Sequence, residues 1–91
     1  MKITAMINAK GNTVKNQFIV TTSKGMYLQS YNTVVAFIPK RGKPQLSKAW
    51  DFSQTTLRNV KLFLNISESK AQIKKDINNK MYTLKDCIII R

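Results

Sequence analysis

The stretch from Val14 to Pro39, VKNQFIVTTSKGMYLQSYNTVVAFIP, decides the fold. β-Branched and aromatic residues fill three runs, and short polar turns separate them. The first run covers 14–22, with Phe18, Val20 and Thr22 on one face and Gln17, Ile19 and Thr21 on the other. Ser23-Lys24-Gly25 reads as a tight hairpin loop. The second run covers 26–31, and Asn32-Thr33 makes the next turn. The third run, 34–38, is apolar on both faces, the pattern of a central strand covered on both sides. Pro39 stops it, because proline has no N–H to give to the ladder. Strands joined by turns this short run antiparallel.

Working outward, residues 3–7 form a further candidate strand, joined to the first run by turn material at Ala9-Lys10-Gly11-Asn12. Past Pro39, the segment Pro39-Lys40-Arg41-Gly42-Lys43-Pro44 is a basic loop, and Gln45-Leu46-Ser47 is a brief fifth strand. The period then changes. Asp51 and Ser53 are both N-cap candidates, and Asp51 with Gln54 resembles a capping box. Leu57, Val60, Phe63 and Leu64 recur at helical spacing, with Arg58, Lys61 and Asn65 opposite them. Ser69 with Gln72 starts a second helix, which carries Ala71, Ile73 and Ile77 and stops at Asn78-Asn79. Residues 82–90 return to strand character and end in the apolar Cys87-Ile88-Ile89-Ile90, either a buried strand or an edge for a partner to cover. Strands first and helices after them predict an α+β fold. The expected architecture is one domain, 1–91: a twisted antiparallel meander of four to five strands, packed by one or two C-terminal helices, with a final C-terminal strand.

Composition narrows the chemistry. Lys and Arg number 16 against four acids, a net charge of +12, and there is no His. Without His, imidazole metal sites and His-based triads are excluded. One Cys excludes an internal disulfide and a thiolate zinc site. The acids Asp51, Glu68, Asp76 and Asp86 are scattered, so neither a carboxylate pair nor a two-metal cluster is visible. The glycines stand singly, with no phosphate-cradling loop. The expectation is a protein that is not an enzyme and needs no cofactor or metal. No apolar run approaches membrane-spanning length. The first residues lack a secretory leader, and the lone Cys87 suits a reducing compartment. These features predict a cytoplasmic protein with no membrane partner.

A charge of +12 exceeds what solubility alone asks of a small domain and points to an anionic partner. Lysine supplies 13 of the 16 cations, which favours contacts to phosphate over reading of base edges. Lys40, Arg41, Lys43 and Lys48 crowd the basic loop, and Arg58 and Lys61 extend that surface along the first helix. Trp50 and Phe52 follow directly. Basic residues beside aromatics suit single-stranded nucleic acid, with charge on the phosphates and rings on the bases. Trp50 reads equally as a core anchor where the helix begins. Tyr31 is a second stacking candidate: it follows Tyr27 by four residues, so both face one side of a strand that either stacks bases or packs under a helix.

Two segments carry a resemblance. Ser30, Tyr31, Thr33, Val35 and Ala36, then Trp50, Asp51, Phe52, Ser53, Thr55 and Thr56 with Phe63 and Leu64 downstream, look like a family of small uncharacterised proteins. Phages, plasmids and conjugative elements of low-GC Gram-positive bacteria encode them. Abundant Lys, Ile and Asn agree with an A/T-rich source. The resemblance implies a mobile-element accessory protein and transfers no activity. In topology alone, the meander, basic loop and helix also resemble the whirly and transcriptional-coactivator type of single-stranded DNA-binding protein. That likeness implies a homodimer with DNA laid across its sheets.

The leading expectation is therefore a small, non-enzymatic phage or mobile-element protein that binds nucleic acid, DNA before RNA, through phosphates with little sequence preference. Lys40, Arg41, Lys43, Lys48, Arg58 and Lys61 are its phosphate contacts, and Tyr31 and Trp50 its stacking partners. The alternative is an inhibitor or modulator that seats its basic surface on an acidic host protein and uses the 87–90 edge as interface.

Overall fold

The computed structural model describes residues 1–91. The fold is α+β, in the order β1 (Lys2–Ile7), β2 (Thr13–Thr22), β3 (Gly25–Ser30), β4 (Thr33–Pro39), β5 (Gln45–Ser47), α1 (Gln54–Leu64), α2 (Lys70–Asn78) and β6 (Thr83–Lys85). The strands form one six-stranded sheet whose spatial order follows the chain. β1 to β5 make the expected antiparallel meander. The sheet is nevertheless mixed, because β6 pairs parallel with β5. A parallel return needs a crossover, and here both helices lie within it.

Three layers result. On one face, Met6, Leu28, Val35, Ala36 and Leu46 of the sheet pack with Trp50, Val60 of α1 and Ile73 of α2. On the other, Val20, Tyr27 and Phe37 form a smaller cluster covered by Ile88 and Ile90. β4 supplies side chains to both clusters, as its two-sided apolar run predicts. A bulge helps it do so: Leu28 pairs with Ala36 and Gln29 with Val34, so Val35 is extra. An extra residue turns its neighbour's side chain towards the same face, and Val35 and Ala36 both reach the helix side.

The C-terminal segment departs from expectation. Only Thr83–Lys85 of the 82–90 run pairs as a strand. Residues 86–91 instead cross the second face as an extended strap. Ile88 and Ile90 point inward, and the Arg91 N–H donates to Tyr27 Oη (3.2 Å). Alternating side chains fit an extended chain lying on a face as well as one paired in a ladder. Here the chain lies on the face, over Val20, Tyr27 and Phe37. Tyr27 is therefore enclosed and stacked on Phe37, with ring centroids 4.2 Å apart.

The helix starts are resolved by one side chain each. Ser53 caps α1, its Oγ accepting from the Thr56 N–H (3.1 Å). Ser69 does the same for α2 through the Gln72 N–H (3.2 Å). Asp51 is not the cap; it lies 3.5 Å from Lys70 Nζ and ties the two helix starts together. Ser53→Ala should thus cost about 1 kcal/mol in chemical denaturation. Asp51→Ala should cost less, because its ion pair is partly exposed. An equal or reversed order would contradict this assignment.

Candidate nucleic-acid interface

A meander places alternate turns at the same end of its sheet. The β2–β3 turn and the β4–β5 loop are therefore neighbours, joined by a hydrogen bond from the Lys40 N–H to the Lys24 carbonyl (3.0 Å). The strap passes beside them. Together they border a cleft of about 580 Å³ into which Lys24, Lys40, Arg41, Lys85 and Arg91 all bring positive charge. No Asp or Glu side chain lines it. Tyr27, Phe37, Ile88 and Ile89 supply the apolar part of its wall. Such a surface raises the local concentration of a polyanion and offers several cations to successive phosphates.

The other expected cations lie elsewhere. Lys43 borders a separate hollow with Lys80 and Tyr82. Arg58 and Lys61 flank a shallow depression on the outer side of α1. Lys48 is bound to Asp86 at 2.8 Å, in a fully exposed pair. The hydrogen bond to Lys48, then its charge, holds the Asp86 carboxyl below its ordinary range, and the same contact raises Lys48. A depressed carboxylate favours the fold above its unfolded titration point and loses that effect as the pH falls through the lowered value. This pin between the strap and the end of β5 thus loosens in acid, as Asp86 takes up a proton, and again in strong alkali, as Lys48 loses one. Tyr82 is pushed up, first by burial and then by Glu68 and Asp76.

Trp50 is not a stacking surface. It is 4% exposed, enclosed by the helix-side core, so neither ring face is open to a base. The exposed ring of that motif is Phe52, at 84%. Tyr31 is also open, at 64%, but sits in the β3–β4 turn, away from the basic loop. It does not share a strand face with Tyr27, because its backbone turns to φ 55.

Tyr31 and Phe52 instead meet at a second concavity, a groove of about 670 Å³ between the β3–β4 turn and the start of α1. Lys15, Gln17 and Ser30 line it from the sheet, and Ser53, Thr55 and Thr56 from the first turn of α1. The two motifs that carry the family resemblance thus converge on one groove, although the second begins twenty positions after the first. Sequence reasoning missed Lys24, Lys85 and Arg91 in the cleft and Lys15 and Gln17 in the groove; it noted Ser30 and Phe52 but chose Trp50 over Phe52 as the stacking ring. Lys24 could have been placed from the meander rule, and Phe52 from its position beside a cap residue, outside the apolar helical stripe.

No curated protein and no solved structure matches the chain. The model of a family described as "Family of unknown function (DUF8033)" matches residues 1–79. That span includes every residue of the groove and stops short of Lys85 and Arg91 in the cleft. The match takes in most of the 91 residues, and the chain belongs to this family of unknown function.

Proposed function

We propose that this chain is a non-enzymatic nucleic-acid-binding protein that grips the phosphate backbone with little sequence preference, single-stranded DNA being its best polymer. The supporting observation is the cleft: five basic side chains from three separate chain segments converge with no Asp or Glu side chain among them. Only Lys48 and Lys70 of the 16 basic residues are paired with an acid, so the field is not cancelled within the fold. Open aromatic rings at Tyr31 and Phe52 favour an unpaired strand, since a duplex keeps its base faces stacked. The resemblance to mobile-element proteins suggests a phage or plasmid setting. The alternative, an inhibitor docking on an acidic host protein, loses the open apolar edge it relied on, because Ile88 and Ile90 are packed against the sheet.

The test is fluorescence anisotropy with labelled single-stranded DNA, duplex DNA and RNA at several salt concentrations. If the five cleft cations each meet a phosphate, log affinity falls against log salt with a slope of about −3.5 for single strands. A slope near zero, or no binding near physiological salt, would overturn the reading.

A further inference from the structure

The groove at the opposite end of the sheet carries a second conclusion. Its construction begins with an irregularity in β2. Between the pairs Ala5–Phe18 and Ile7–Thr13, β2 has more residues than β1 opposes. The excess turns through Asn16 at φ 61, and the Asn16 carbonyl accepts the Tyr31 N–H (2.8 Å). The Tyr31 carbonyl in turn accepts from Gln29 Nε2 (2.8 Å). Tyr31 is thus held on both sides in a left-handed conformation that glycine or asparagine adopts more easily. Its ring is mostly exposed, so burial does not offset that cost. Strain of this kind persists where the surroundings enforce it, and it clusters at ligand sites.

A second observation points into the same groove. Gln17 is 3% exposed. Its Nε2 donates to Ser30 Oγ (2.9 Å), while its Oε1 has no partner. A buried acceptor without a donor is costly, and a ligand N–H that reaches it relieves the cost. Oε1 is closed to solvent in the free protein, so a ligand N–H reaches it as the Gln17 side chain shifts towards the groove it lines. Beside this polar floor, the first turn of α1 contains no acidic residue, and Lys15 stands in the groove lining. The combination is open aromatic rings, one unsatisfied amide in the wall, and positive character from a lysine and a helix start.

We propose that this groove receives an unpaired nucleobase, stacked on Tyr31 and Phe52, offering an N–H to the Gln17 amide, with its phosphate beside Lys15 and the start of α1. The proposal rests on the nucleic-acid reading above and adds a base-dependent contact to it. Stacking is tolerant of base identity, which fits a binder without sequence preference.

The experiment compares two probes of equal length: a short single-stranded DNA of mixed sequence, and the same backbone with every base removed. The wild-type protein should bind the base-bearing strand about tenfold more tightly. Tyr31→Asn and Phe52→Ser should each erode that preference while leaving the salt slope unchanged. Tyr31→Asn should also raise the melting temperature, because asparagine suits the positive φ; a purely structural role for Tyr31 would give the opposite sign. A strand carrying 4-thiothymidine should crosslink to Tyr31 or Phe52. Equal binding of the two probes, or a preference that survives the double variant, overturns this inference and leaves the phosphate reading intact. Binding of neither probe overturns both.

Discussion

Replacing Lys24, Lys40 and Arg41 together by glutamate is expected to lower affinity for single-stranded DNA about a hundredfold or more at moderate salt, and to reduce the salt slope by about two units. The three side chains border one cleft, are exposed and pair with no acid, so the fold does not depend on their charge. Each reversal removes a phosphate contact and adds a repulsion. Stability should hold or rise slightly, because the chain starts at +12 and its self-repulsion eases. A second triple reversal, at Lys10, Lys74 and Lys75, makes the same change in net charge on exposed residues outside the cleft. It should cost far less affinity. If the two triples lose affinity equally, binding follows bulk charge and the cleft has no special part in it.

Gly25→Ala should destabilise the protein by more than about 3 kcal/mol, a large share of the stability of a domain this small. Gly25 opens β3 opposite Pro39 at φ +146, a region closed to other residues. An added Cβ would lie 2.2 Å from the Ile38 carbonyl oxygen and 2.9 Å from Pro39 Cα. Both are backbone atoms of the neighbouring strand, so relief requires the β3–β4 ladder to part. Gly42, in the basic loop, provides the comparison. It has φ +99 and open space around its Cα, so Gly42→Ala carries conformational strain alone, about 1 kcal/mol. Thermal unfolding of the two variants measures the difference. A mild Gly25→Ala would mean that the strands are not in this register.

The meander was legible because its information is local. Each turn from Ser23 to Thr33 sits between β-rich runs, and each strand is bounded by residues that cannot continue it. Both helices announced themselves through Ser53 and Ser69 and through apolar spacing. What the residues did not disclose is long-range. Alternation in 86–91 specifies an extended chain but not whether it lies at an edge or on a face. The parallel placement of β6 depends on how two helices pack across the sheet, which no short window contains. At the candidate site, composition indicated an excess of positive charge, and the basic loop located Lys40 and Arg41 of the cleft. Trp50 and Phe52 were harder to separate. They are two residues apart in a turn with no simple period, and only the packed core shows that one points in and the other out. Tyr31 appeared as a strand residue because tyrosine favours strands, whereas its clamped backbone makes it a turn.

The crossover that holds both helices also has a kinetic consequence. Every pairing from β1 to β5 joins neighbours in the chain, whereas β5 and β6 meet only after the stretch from Ser47 to Thr83 has closed. Closing a long segment is entropically the most expensive ladder in the sheet and the slowest to assemble. β6 is three residues long, and the strap beyond it is fastened by two isoleucines, one hydrogen bond and one exposed ion pair. Few buried contacts hold this part, so its amides should lose protection before those of the central strands β2 to β4 in hydrogen exchange. Lys85 and Arg91 travel with it. A polyanion bound across the cleft would then slow that exchange, coupling occupancy to the closure of the last segment to fold.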